Sequence, residues 1–231
     1  MISYRPNWAV FGTLLVILSL QGIHYWYITG TWNRVRHIFI ALYGWSQNET
    51  IRYEGLIGMS PFLGITVGRV IGSQEVNNGR YKCILLGSVI ISAGIGIQLV
   101  ANIWMFLIGR VCCAFGMGFL FPAASRYIEE CPPPQLLSLF YTLYSFGFSL
   151  ALPLLALSSQ ILPTEAEVAR SHPDPYSWRI FLAIPLILCI VFLVGMLLVV
   201  RLETPTYLVS QGRKEEAMKS LKRFIHHKED P

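Results

Sequence analysis

The 231-residue chain predicts an all-α membrane protein: a bundle of six transmembrane helices followed by an amphipathic helix. Three observations carry that reading. Hydrophobic residues make up 54% of the sequence and charged residues only 13%, about half the charged share of an ordinary soluble domain. Six stretches are each long and apolar enough to cross a hydrocarbon core about 30 Å thick. The charged residues, finally, gather in the breaks between these stretches and in the C-terminal tail.

The first span, Trp8–Thr29, holds no Asp, Glu, Lys or Arg and ends in the polar and aromatic residues Gln21, His24, Tyr25 and Thr29. It is too long for the core of a signal peptide, and no small-residue cleavage site follows it. The second, Ile51–Gly72, places Ser60, Gly64, Gly68 and Gly72 at every fourth position, and the third, Lys82–Ala101, repeats the device with Ser88, Ser92 and Gly96. Stripes of this kind let helix backbones approach closely in lipid, where no hydrophobic drive pulls helices together. The fourth span, Asn102–Tyr127, follows at "VANIW" almost without a loop, so the third and fourth form an antiparallel hairpin. The fifth, Leu136–Leu157, carries Ser138, Thr142, Ser145 and Ser149 on one face, flanked by Tyr141 and Tyr144. Two readings of that stripe stand: hydroxyls bonded to their own or a neighbouring helix, or a face lining a water-filled cavity. The sixth span is Trp178–Val200. Residues 1–204 thus form the bundle and 205–231 a cytoplasmic segment, where the charges from Arg213 to Lys228 alternate with Ala217, Met218, Leu221 and Phe224 at helical spacing.

The net charge of +5 points to no nucleic acid, because the excess lies in the tail, as on a cytoplasmic face beside anionic lipid. Five cysteines (Cys83, Cys112, Cys113, Cys131 and Cys189) show no CxxC spacing, which leaves neither a disulfide framework nor a zinc site. No phosphate loop, HExxH or Ser-His-Asp arrangement is present. Glu129 and Glu130 are helix neighbours that do not face each other as an acid–base pair would. The sequence therefore predicts neither an enzyme nor a resident cofactor or metal. Six spans put both termini on one side. Eleven Lys and Arg fall on that side and five on the other, a margin the tail supplies; the positive-inside rule then makes the termini cytoplasmic. The sequon Asn48-Glu49-Thr50, in the first loop, agrees by lying outside.

Between the second and third spans lies "GSQEVNNGRYK", in which Gly72 and Gly79 are followed by Arg80 and Lys82. This resembles the loop 2–3 signature of the major facilitator superfamily, most closely its sugar porter branch. In that pattern glycine lets the chain turn at the helix end, and the cations meet helix C-terminal dipoles and carboxylates on the inner face. Three further matches follow in the family's order. "GRVCCAFGMGFLFPAASRYIEECPPP" resembles the fourth helix, with Gly109, Arg110, Gly116, Gly118, Tyr127, Glu130 and Pro133. "WRIFLAIP" resembles the start of the sixth, with Trp178, Arg179 and Pro185. "RLETPTYLVSQGRKEEAMKSL" is similar to the segment after it, through Glu203, Pro205, Tyr207, Leu208, Gly212, Arg213, Glu216, Ala217 and Leu221. The resemblance covers residues 50 to 225.

That resemblance implies a conformational motif on the inner face made of Gly72, Gly79, Arg80, Lys82, Arg110, Glu130 and Glu203. It also implies a cavity lined by the first, fourth and fifth helices, with Gln21, His24, Tyr25, Thr142, Ser145 and Ser149 as substrate-binding residues. Departures from the pattern are as specific. Thr206 and Leu137 stand where the family has arginines, Val76 where it has an acid or amide, and Ser145 near the place of a sugar-binding glutamine. Arg126, Glu129 and Lys82 are the candidate stand-ins. The first helix has no carboxylate where proton-coupled members have one; His24 could titrate in its stead, though a histidine near a helix end is more often an interfacial hydrogen-bonder. Arg110, near the outer end of its helix, is expected to snorkel or pair. Arg69 is expected to snorkel or to answer the missing arginines. The implied function is transport of a hexose or related solute by alternating access, with helices 2 and 5 at the interface to a second six-helix bundle and the glycine stripe of helix 2 as a sliding contact. The partners are then the lipid bilayer, that second bundle and the solute. Two alternatives stay open: a non-transporting scaffold or accessory subunit, and a facilitator of a non-sugar organic solute.

Overall fold

The computed structural model describes residues 4–132, 134–170, 176–201 and 203–227. Pro133, Lys228 and the side chains of Gln21, His24, Tyr25 and Thr29 lie outside the described residues. The elements are β1 (Tyr4–Pro6), α1 (Trp8–Tyr43), α2 (Gln47–Glu75), α3 (Arg80–Gln98), α4 (Ile103–Glu130), α5 (Leu137–Ser158), α6 (Glu165–Arg170), α7 (Ser177–Gly195), α8 (Pro205–Ser210), α9 (Lys214–Phe224) and β2 (Ile225–His227). Five helices or helix runs among the described residues, those holding α2, α3, α4, α5 and α7, are long and apolar enough to cross a membrane. α1 is a further long helix in the bundle. The expected all-α membrane fold holds, with one small addition. β1 and β2 pair antiparallel, Tyr4 opposite His227 and Pro6 opposite Ile225, which puts both ends of the described chain on one face.

Several boundaries differ from the sequence reading. α1 does not stop near Thr29 but continues to Tyr43, where Gly44 at φ 61° caps it. No proline or glycine interrupts residues 31–43, so the helix runs on until a left-handed residue ends it. The sequon therefore lies in the first turn of α2 and not in a loop. There Ser46 and Glu49 form a capping box, with Glu49 Oε2 accepting the Ser46 N–H at 2.9 Å and Ser46 Oγ accepting the Glu49 N–H at 3.4 Å. α7 ends in a wider π-type turn over Met196–Val200, closed by the Arg201 N–H on Met196 O at 3.1 Å, and Arg201 takes φ 52°.

α4 is flanked by α2 and α3, α1 lies along α5, and α7 bridges α1 to α3. Direct contact between the two groups is sparse. The glycines explain the close pairings. A Cβ on Gly64, Gly68 or Gly72 would fall 2.6, 2.2 or 2.3 Å from the carbonyl oxygens of Val111, Phe115 and Phe119. The α2 stripe is thus a contact inside the bundle, and the expectation of a sliding surface toward a second bundle is corrected. On α3 the contact residues are Gly87 and Gly94, against Gly116 and Gly109 of α4, whereas Gly96 faces open space. Ser88 and Ser92 face α7 instead, where the Ser92 Oγ–H donates to Cys189 Sγ at 3.2 Å. Two cores result. One lies toward the terminal face around Phe11, Leu120, Tyr127 and Phe140. The other lies toward the distal face, where fully buried Trp178 meets Phe39 at 5.1 Å. Large apolar side chains left outside, such as Met59, Phe62, Val70, Ile187 and Ile190, suit contact with hydrocarbon.

Candidate functional site

The terminal face of the bundle gathers the loop between α2 and α3, the end of α4 and the segment after α7. Gly79 makes the turn into α3 with φ 140°, a conformation L side chains rarely adopt, and a Cβ there would lie 2.8 Å from Glu203 Oε1. α3 begins without a side-chain cap of its own. Its free N–H groups are met from far along the chain: Glu203 Oε2 accepts from the Tyr81 N–H at 3.0 Å and Oε1 from the Lys82 N–H at 3.3 Å. A carboxylate on a helix N-terminus is favoured by both hydrogen bonding and the helix dipole.

Arg80 turns the other way. Its Nε and Nη2 both donate to Glu130 Oε1, at 3.1 and 2.9 Å, and Nη1 donates to Val76 O at 3.3 Å. The two side chains are 14% and 10% exposed, so the pair is partly shielded from water and the screening that weakens surface pairs is reduced. The Tyr207 ring covers the guanidinium at 4.9 Å, and the Tyr207 hydroxyl donates to Asn78 O at 2.9 Å. Thr204 completes the ring: its hydroxyl donates to Glu130 Oε2 and accepts the Tyr207 N–H at 3.4 Å, capping α8. Ser220 of α9 donates to Glu203 O at 2.8 Å.

Of the seven residues expected in the motif, Gly79, Arg80, Glu130 and Glu203 come together here. Lys82 joins through its backbone N–H, its side chain being exposed. Gly72 does not make the turn; it lies inside α2 against Phe119. Arg110 lies apart near the other end of α4 and does not snorkel. It is 2% exposed, with Nη1 donating to Thr31 Oγ1 at 3.4 Å and the Phe106 ring 5.8 Å away. Arg126 and Glu129 are not stand-ins in the Arg80 network. They pair with each other at 3.4 Å, and Glu129 accepts the Tyr141 hydroxyl at 2.7 Å. Arg69 does snorkel. The glycine contacts set it level with Gly116, yet its guanidinium covers Phe121 at 4.5 Å, five positions nearer the terminal face, or about 7.5 Å along the helix.

On α5, Ser138, Thr142, Ser145 and Ser149 are all exposed, and the Thr142 hydroxyl donates to Ser138 O at 2.9 Å. The buried face of this helix is a different one, with Phe140, Tyr144, Gly147, Ala151 and Leu155. α1 meets α5 at Gly22, where a Cβ would lie 2.8 Å from Phe148 N, and at Gly30, beside Leu155. Positions Gln21, His24 and Tyr25 are therefore at the depth of Ser145 and Ser149. Sequence reasoning missed Thr204 and Ser220. Thr204 had a signal, since a threonine directly before a proline reads as a helix N-cap; Ser220 had none.

A bundle of six long helices, a clasp of charged and backbone groups at one end and an open hydroxyl face define the class: an integral, multi-pass membrane protein with a transporter fold. Residues 14–231 match the family model described as Sugar (and other) transporter, and the chain belongs to that family. It is 26% identical over 200 residues to sugar transport protein 6 of Arabidopsis thaliana, covering 86% of this chain and 37% of that protein. Sugar transport protein 8 of the same plant is 30% identical over 184 residues, 77% of this chain and 34% of that protein. The fold superimposes on the proton:xylose symporter XylE bound to 6-bromo-6-deoxy-D-glucose with a TM-score of 0.79 at 20% identity, over 94% of this chain and 50% of that one. The chain thus spans about a third of the length of these curated relatives and half of the solved structure.

Proposed function

We propose that this chain forms the N-terminal six-helix bundle of a sugar-porter-like facilitator that moves a hexose or related polar solute by alternating access. The observation that carries the reading is the clasp of Arg80, Glu130 and Glu203, which falls where the sugar porter signature was recognised. Family membership and the names of the relatives support a sugar as solute. In this reading the bundle ends at residue 204, and 205–231 form the cytoplasmic segment that leads toward a second bundle, in the rest of a longer chain or another subunit. The clasp is the inner-face latch. The exposed hydroxyl face of α5 meets the solute through Thr142, Ser145 and Ser149, with Gln21, His24 and Tyr25 contributed by α1, and Arg110 fixes α4 against α1. Both termini are cytoplasmic and the membrane is the plasma membrane.

Proteoliposome uptake tests the reading, using a panel of labelled hexoses, pentoses and non-sugar organic solutes, with the chain alone and with a second bundle supplied. Saturable uptake of a sugar supports it, and uptake of a different solute alone moves the reading to a non-sugar facilitator. Failure of every solute under both conditions would remove transport. A scaffold is the second reading, favoured by one observation: Leu137 and Thr206 stand where the resemblance expects arginines and Val76 where it expects an acid or amide. An antibody to the N-terminal segment, used on the native membrane, distinguishes a longer chain from a polypeptide of this length.

A further inference from the structure

The two ends of the chain meet on the terminal face through one residue. Asn7 caps α1, its Oδ1 accepting the Val10 N–H at 3.4 Å. The same residue donates its backbone N–H to Phe224 O at 3.0 Å and its Nδ2–H to Arg223 O at 3.3 Å. Those carbonyls close α9 and have no acceptor role within their own helix. Asn7 therefore caps two helices at once. One turn further on, fully buried Phe11 stacks on Phe224 at 5.8 Å and meets Phe140, in the first turn of α5, edge-on at 5.4 Å. The β1–β2 pairing extends the junction. From α9 the path continues through Ser220 to Glu203, and so to the start of α3 and the Arg80–Glu130 pair. The α1–α5 pair and the α2–α3–α4 group touch sparingly within the bundle, so this path is a second tie between them beside α7.

We propose that residues 4–7 and α9 form a strap that fastens α1 and α5 to the Arg80–Glu130–Glu203 clasp, with Asn7 as its fastening, so that releasing the N-terminal segment loosens the clasp from a distance. The strap is a regulatory element: whatever engages the N-terminal segment acts on the clasp without touching it. The inference rests on contacts of this face alone and requires no particular solute.

Cys131 is a native reporter. It is 5% exposed and follows Glu130 directly. Burial, and after it the Glu130 carboxylate, pushes its thiol well above the ordinary range, so it reacts slowly with maleimide while the clasp is closed. The experiment compares the full chain with Asn7→Asp, Asn7→Ala and Ser220→Ala in lipid nanodiscs. Labelling at each cysteine is read by mass spectrometry and trypsin cleavage within α9 is followed in parallel. Asp caps a helix as well as Asn does but has no N–H for Arg223 O, so it separates the strap from the folding of α1. Asn7→Asp and Ser220→Ala should each raise Cys131 labelling about fivefold, the equilibrium effect of one lost hydrogen bond, with Cys113 in the middle of α4 unchanged. Faster cleavage of α9 with Cys131 still protected would overturn the proposal, as would unchanged labelling and cleavage together. A parallel rise at Cys113 would mean general loosening and would also overturn it. If an Asn7 variant does not fold, Ser220→Ala decides alone.

Discussion

On α2, Ser60, Gly64, Gly68 and Gly72 recur at every fourth position and are buried, the three glycines against α4. On α5, Ser138, Thr142, Ser145 and Ser149 recur at nearly the same spacing and are all exposed. The difference lies in what the neighbouring helix offers. α4 presents the carbonyls of Val111, Phe115 and Phe119 at the same four-residue step and in register with the α2 glycines, so the two backbones close on each other. α5 is held by its other face, through Phe140, Gly147 and Ala151, which leaves the hydroxyls without a packing role. Small or polar residues at helical spacing mark a special face, and the partner decides whether that face is a seam or a lining.

The largest effect should come from closing the seam. Gly68→Leu places a side chain where even a Cβ meets Phe115 O at 2.2 Å. We expect no monodisperse protein by size-exclusion chromatography, and Gly68→Ala alone should cost about 1–3 kcal/mol. A well-folded Gly68→Leu variant would show that the helices can part freely.

Next comes the clasp. Glu130→Gln should lower thermal stability by about 1–3 kcal/mol, because the Arg80 guanidinium loses its carboxylate in a half-shielded site. Arg80→Lys should not rescue Arg80→Ala, since an ammonium cannot reproduce three donors fixed in one plane. Arg80→Ala is further expected to reduce uptake more than yield. Equal losses would make the clasp merely structural. The opposite face of α2 predicts a change of sign. A Cβ on Gly58 meets nothing within 4 Å, so Gly58→Ala should stabilise the helix by about 0.5–1 kcal/mol, readable in a thermal melt. The smallest effect on folding belongs to α5. Ser145→Ala and Ser149→Ala should each leave stability within about 0.5 kcal/mol while weakening solute binding in a thermal-shift assay. Loss of stability there would turn the hydroxyl face into a second seam.

Among the candidate site residues, those read from the loop 2–3 signature and the segment after the sixth span were legible because each sits beside a chain break. Gly79 is required by its own backbone angle, and Glu203 precedes a helix start. Arg69 and Arg110 show the limit. Both are arginines within apolar stretches of their helices, yet one reaches toward the terminal face and the other is enclosed beside Thr31. Nothing local distinguishes them, since the outcome depends on which neighbouring helix lies over each side chain. Met218 and Leu221 make the same point on α9. Their spacing matched the packing residues, but Ala217, Ser220 and Phe224 turn inward and these two stay exposed.

The sequence by itself determined the membrane class, the family, the helix spans to within a few residues at most ends and the identity of the clasp. These follow from hydrophobic length, which the bilayer fixes, and from short-range turn and cap chemistry. Tertiary structure alone decided the partner of each glycine stripe, the separation of Arg126 and Glu129 from the clasp and the junction through Asn7. Those outcomes depend on which surfaces meet across long stretches of chain. A residue's type and spacing state what contact it can make, and only the packed bundle supplies the atoms that complete it.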